Sequence, residues 1–177
     1  MDKRNLAKQV VTASRLTGSF RLRSGGESDH YIDKYLFEAN PVILRNIAHK
    51  LANFIPAETE VLAGLEMGGI PLVTALSLES GIPAAFVRKA AKKYGTRRVS
   101  EGASVEGKRV CVVEDVVTAG EQVLASVANL RKAGADVRHV ICAIGYDGSA
   151  AERLREHGLA LHCLFTMDEL KEAGEDR

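Results

Sequence analysis

The chain has 177 residues, with 24 Lys and Arg against 23 Asp and Glu and a formal charge of +1. That length fits one domain whose core needs no disulfide or metal staple, and 46 % hydrophobic with 27 % charged residues excludes wholesale disorder. A near-zero sum speaks against nucleic-acid or membrane-surface binders, which carry an excess of Lys and Arg.

The start, Met1-Asp2-Lys3-Arg4-Asn5, is polar and no apolar signal core follows it. No apolar run approaches a membrane span, so a cytoplasmic protein is expected. Leu6, Val10, Ala13 and Leu16 recur at helical spacing and predict a helix over 3–16. Phe20–Leu22 and Tyr31–Phe37 read as extended, joined by the turn-rich Ser24–Ser28. Asn40-Pro41 caps and opens a helix whose buried stripe is Leu44, Ile47, Ala48 and Leu51.

From Val61 the pattern becomes strand, loop and helix, repeated. Strands are expected at Val61–Ala63, Ala84–Val87, Arg109–Val113, Val137–Ile144 and Leu159–Phe165. Helices are expected from Leu72, over Gln122–Lys132 and over Ala150–Glu156, and the charged tail Lys171–Arg177 is expected to fray. Alternation of this kind implies an α/β fold, a mainly parallel sheet flanked by helices. Such sheets bind ligands at the carboxyl ends of their strands. Cys111, Cys142 and Cys163 lie in apolar segments without Cys-x-x-Cys spacing, so they read as buried inert thiols rather than a zinc or disulfide framework.

The sharpest local signal is Val112-Val113-Glu114-Asp115-Val116-Val117-Thr118-Ala119-Gly120-Glu121-Gln122. A buried strand ends in two carboxylates, a tight turn follows, and a helix opens. Free amides of the turn and the positive end of the helix dipole make a cradle for a phosphate monoester. Thr118 adds a hydroxyl, and Gly120 lets the backbone approach closely. The carboxylates would repel that phosphate, but as acceptors they suit the vicinal hydroxyls of a sugar whose 5′-phosphate sits in the turn. Together these features describe a ribose 5-phosphate site.

This segment resembles the 5-phosphoribosyl 1-pyrophosphate (PRPP) motif of the type I phosphoribosyltransferases, and over nearly the whole chain the sequence is most similar to their orotate-specific members. Arg88-Lys89-Ala90-Ala91-Lys92-Lys93-Tyr94-Gly95 is similar to the family's mobile catalytic loop. Arg88–Arg98 holds six cations and no acid, which would neutralise charge developing on pyrophosphate. Gly64–Pro71 looks like the pyrophosphate loop. Arg21–Gly25 with Ser28–Lys34 resembles the amino-terminal hood over the base, and Leu164–Leu170 the family's ending.

The resemblance implies a type I phosphoribosyltransferase fold in a single domain over 1–177, with a small hood in 1–40 and a PRPP-binding core in 41–177. It implies transfer of phosphoribosyl from PRPP to orotate, giving orotidine 5′-phosphate and pyrophosphate in pyrimidine synthesis. It further implies Lys92, Lys89, Arg88 and Asp115 as catalytic residues. PRPP would be bound by Arg88, Lys89, Lys92, Tyr94, Glu114, Asp115, Val116, Val117, Thr118, Ala119, Gly120, Glu121 and Gln122, and orotate by Arg23, Thr118 and Tyr146. Mg²⁺ is expected as cofactor, carried mainly by PRPP with no dedicated protein cage. A homodimer sharing the catalytic loop is implied, with neither nucleic acid nor membrane as partner.

The sequence departs from the family pattern at three places. Tyr94 stands where many members have histidine, Gly145-Tyr146 where many have Asp-Arg, and Glu121 where a small or hydroxyl residue is frequent. A missing arginine removes a cation from the base site, which leaves another base, such as a purine, as the alternative substrate. A non-catalytic PRPP-sensing regulator is the alternative of a different class.

Overall fold

The computed structural model describes residues 1–21, 25–89, 98–146 and 148–175. Helix α1 (Lys3–Ser14) opens on Asp2, whose carboxylate accepts from the Asn5 amide at 2.8 Å. It stops two residues short of expectation because Arg15 begins a hairpin, pairing with Ile32. The hairpin strands are β1 (Arg15–Arg21) and β2 (Glu27–Ile32), antiparallel and separate from the main sheet. Tyr31–Phe37 is not extended throughout. Asp33 accepts from the Tyr35 amide at 3.0 Å and caps a short helix, α2 (Lys34–Glu38). The cap turns Phe37 into the core and carries Lys34 and Glu38 toward the sheet.

Helix α3 (Pro41–Leu51) starts as expected, with Asn40 accepting from the amides of Val42 and Ile43. Next come β3 (Val61–Leu65), α4 (Gly69–Ser80), β4 (Ala84–Val87), β5 (Ser100–Gly102), β6 (Arg109–Val117), α5 (Glu121–Lys132), β7 (Asp136–Gly145), α6 (Gly148–Glu156), β8 (Ala160–Thr166) and α7 (Met167–Glu175). The six-stranded sheet runs β5-β4-β3-β6-β7-β8. All neighbours are parallel except β5, an antiparallel edge strand of three residues with no sequence signal.

Helices cover both faces. On one, Leu6 and Val10 of α1, Ile47 and Leu51 of α3, and Leu72 and Leu76 of α4 pack with Ile141 and Phe165. On the other, Val123, Val127 and Leu130 of α5 and Leu154 of α6 pack on Val112 and Val140. A fully buried Leu or Val contributes about 1.5–3 kcal/mol, so α1 is bound into the core even though the hairpin after it is not part of the sheet.

The tail does not simply fray: α7 runs to Glu175. Thr166 and Glu169 form a reciprocal cap, with the Thr166 amide donating to Glu169 at 2.9 Å and the Glu169 amide to Thr166 Oγ1 at 3.1 Å. Met167 and Leu170 then bury one face. The cysteines also differ from expectation. Cys111 and Cys142 are buried, but Cys163 is only partly buried and touches Cys142. Among the described residues no helix is long and apolar enough to cross a membrane.

Candidate active site

Four parallel strands, β3, β4, β6 and β7, bring their carboxyl ends to one edge. The turn after β3 contains a cis Glu66–Met67 peptide and reaches α4 through Gly68 and Gly69. At β4, the Lys89 amide donates to the Glu66 carboxylate and ties that strand end to the turn. Arg88 lies 3.9 Å from Glu101 on β5. Lys92, Tyr94 and Arg23 lie outside the described residues.

Glu114 and Asp115 do not end their strand. β6 continues to Val117, and both carboxyl groups are buried, Glu114 at 6 % and Asp115 at 0 % exposure. A buried carboxylate needs partners. Asp115 accepts from the Val116 amide at 2.6 Å through Oδ1, and its Oδ2 lies 2.6 Å from Lys34 Nζ. Glu38 of α2 is buried beside it. Gly68 is required here by space: a Cβ would run into the Asp115 carboxylate and come within 2.9 Å of Glu38 Oε1.

The three acids titrate differently because their surroundings differ. Burial first, and then Asp115, push Glu114 up to about 10 and Glu38 up to about 9. Burial also works against an ionised Asp115, but hydrogen bonds from Glu114, Lys34 and Glu38 outweigh it and hold Asp115 below the usual carboxylate range. Lys34 loses solvent too, yet Asp115 keeps it firmly protonated. Near neutral pH the cluster is thus one ion pair flanked by two neutral carboxyls. Lys34 and Glu38 were not singled out in the sequence; the Asp33 cap was the available signal, since it puts both residues on one short helix.

Beyond β6, Thr118 and Ala119 are exposed at the turn. Gly120 holds φ +80°, a left-handed conformation that favours glycine, and caps α5 without any side-chain hydrogen bond. Thr118 therefore does not cap the helix, and the first-turn amides of Glu121, Gln122 and Val123 keep no side-chain partner from the cap. Glu121 is exposed and pairs with Arg153 of α6 at 3.0 Å. Val116 and Val117 belong to the strand, not the turn. At β7 the Tyr146 amide donates to the Val117 carbonyl at 3.0 Å, so the backbone of this exposed tyrosine lies beside the end of β6 that leads to Thr118.

A phosphoribosyl transferase domain model matches residues 37–163. An orotate phosphoribosyltransferase of Nocardioides sp. is 44 % identical over 170 residues, covering 96 % of this chain and 95 % of the relative. One from Methanocella arvoryzae is 43 % identical, covering 96 % and 97 %. Among solved structures, the orotate phosphoribosyltransferase of Mycobacterium tuberculosis superposes with a TM-score of 0.87 at 31 % identity, over 96 % of this chain and 99 % of that one. The same enzyme in complex with PRPP gives 0.79 at 27 % identity, over 97 % and 99 %. With a parallel sheet, an uncapped α5 behind an exposed threonine turn and paired acids on β6, the chain belongs to the orotate phosphoribosyltransferases, the phosphoribosyl-transferring enzymes of pyrimidine biosynthesis.

Proposed function

We propose that the turn after β6 and the first turn of α5 hold the 5′-phosphate of PRPP, that Glu114 and Asp115 take its ribose hydroxyls, and that Arg88, Lys89 and Lys92 stabilise the departing pyrophosphate. The observation that carries this reading is the start of α5, without a side-chain cap, behind exposed Thr118, three residues past the buried acids. Amide donors and the helix dipole converge there, where an anion is favoured. Ionised Asp115 offers acceptors only, whereas a neutral Glu114 offers a donor and an acceptor to a hydroxyl.

As the bond from the anomeric carbon to pyrophosphate breaks, the ribose gains oxocarbenium character and the base nitrogen attacks. Asp115, kept ionised by Lys34, is a fixed negative group near that developing positive charge. Cations at Arg88, Lys89 and Lys92 take up the opposite charge on the leaving group. Arg23, Thr118 and Tyr146 contact the orotate ring, with Tyr94 on the PRPP side. Magnesium belongs to the reading as well. Such a hard cation binds through substrate phosphates with few protein carboxylates. Carried mainly by PRPP, Mg²⁺ would neutralise pyrophosphate charge.

The active form in this reading is a homodimer in which the catalytic loop, Arg88–Arg98, is shared between protomers and excludes water from the site. Exposed Leu78 on α4 and Val42 on α3 offer apolar surface to such a partner. The reading is of a hood in 1–40 and a core in 41–177, acting in the cytoplasm, a compartment in which free cysteines are usual. Steady-state kinetics with each substrate varied in turn tests the site. Asp115→Asn should raise KM for PRPP by roughly 10–100-fold, as expected for a lost charged hydrogen bond, and Glu114→Gln by up to about tenfold, as expected for a neutral one; both should leave KM for orotate nearly unchanged. Equal effects on both substrates would contradict the assignment.

A further inference from the structure

Cys142 and Cys163 sit opposite each other on the parallel strands β7 and β8, their sulfurs 3.1 Å apart, with the Cys142 thiol donating to Cys163. Adjacent strands lie about 4.8 Å apart, within the Cα separation a disulfide spans. The row continues across the sheet: Glu114 on β6 is the register partner of Cys142. On the other side, a Cβ on Gly145 would come within 2.5 Å of Cys163 Sγ, so that sulfur sits directly against the backbone that leads into Tyr146. The thiol pair thus lies between the ribose acid and the base-side turn.

We propose that Cys142 and Cys163 form a peroxide-sensitive dithiol that closes to a disulfide and thereby slows phosphoribosyl transfer; the coupling rests on the reading of Glu114 and Tyr146 as parts of the site. Cys163 is the attacking sulfur because it is only partly buried, whereas Cys142 is fully buried. The hydrogen bond from Cys142 also lowers its pKa, which favours the nucleophilic thiolate. The thiolate attacks one oxygen of hydrogen peroxide, the O–O bond breaks, and hydroxide leaves and is protonated to water. The Cys142 sulfur then attacks the sulfenic sulfur; the S–S bond forms, the S–O bond breaks, and the hydroxyl departs with the Cys142 proton as a second water. Two thiols lose two electrons and one peroxide gains them. Cys111 is not part of the pair: burial pushes its thiol up to about 12.

Closing the bond draws the sulfurs from 3.1 Å to about 2.05 Å, pulling β8 toward β7 beneath Gly145. A displacement near 1 Å can cost up to about 10²-fold in rate, and a roughly tenfold fall in kcat is expected here. The test treats the full chain with hydrogen peroxide, alkylates remaining thiols, maps linked peptides by mass spectrometry and follows pyrophosphate release before and after dithiothreitol. The expected result is a Cys142–Cys163 cross-link, Cys111 still alkylated once the protein is unfolded, and turnover that falls and then recovers. Cys163→Ala should keep its turnover through the same treatment, and Cys142→Ala should form no cross-link. Absence of the cross-link, a cross-link with unchanged turnover, or equal loss in Cys163→Ala would each overturn the proposal. Mapping the cross-link does not depend on the site assignment, which the PRPP kinetics of Glu114→Gln test separately.

Discussion

Lys34 Nζ lies 2.6 Å from Oδ2 of Asp115, joining the helix after the hairpin to the buried acid of the PRPP motif. Asp115 is fully buried, whereas the Lys34 side chain is one-third exposed. Removing one member of such a pair leaves an uncompensated charge, and for fully buried pairs that costs about 3–5 kcal/mol. With Lys34 partly solvated, Lys34→Met should cost about 2–4 kcal/mol in urea denaturation at neutral pH. The Lys34→Met, Asp115→Asn double variant should be less destabilised than the sum of the single variants. Strict additivity would mean that the two groups do not interact.

Glu38 gives a pH dependence of definite sign. It holds its proton in the folded protein up to about pH 9, but in the unfolded chain releases it near its ordinary 4.5. Between these values the folded state binds more protons, so stability falls as pH rises, by up to about 1.4 kcal/mol per pH unit for each such group. Glu114 acts in the same direction. Asp115 acts in the opposite one, since its depressed value gives stability above the unfolded pKa that is lost as pH falls through the folded one. Glu38→Gln should flatten the decline from about pH 6 to 9 in denaturation curves and gain on the parent chain as pH rises. A parallel decline in both proteins would show that Glu38 is ionised when folded.

Gly68 tests how tightly the turn after β3 closes on the acids. Gly68→Ala puts a methyl group into the Asp115 carboxylate, and overpacking of this kind costs about 1–3 kcal/mol. Thermal denaturation should show that loss, with a raised KM for PRPP. A variant with normal melting and kinetics would mean that the acids are not held against this turn.

The shared loop is tested by mixing subunits. Lys92→Ala should cut turnover while sparing the fold, and so should Asp115→Ala at temperatures below its melting. Heterodimers of the two should regain activity, because one site then has both an intact loop and an intact acid. No recovery despite confirmed subunit exchange would show that the loop serves its own protomer.

Most of this architecture was legible in the sequence. Strand and helix alternation from Val61 gave the parallel sheet, and Glu114-Asp115 ahead of Thr118 and Gly120 marked the phosphate turn. Boundaries failed where local signals conflicted. Val116 and Val117 read as turn residues but extend β6, because the ladder to Ile144 and Gly145 on β7 continues past the acids. Tyr31–Phe37 is rich in aromatic residues and looked extended, yet the Asp33 cap turns its second half into a helix. The Thr166-Glu169 cap signalled α7, but the charged tail masked it. Three features had no local signature: β5, and the contacts of Lys34 with Asp115 and Cys142 with Cys163. Each depends on pairing between residues distant in sequence.

The reaction itself is tested most directly by following pyrophosphate release from purified protein with PRPP, Mg²⁺ and a panel of bases. Turnover with orotate, at least two orders of magnitude above that with any purine, is the expected result; that ratio corresponds to about 2.7 kcal/mol of discrimination. It would mean that the base site works with Tyr146 in place of the arginine common in the family. Turnover only with a purine, or tight PRPP binding with no turnover on any base, would contradict the account.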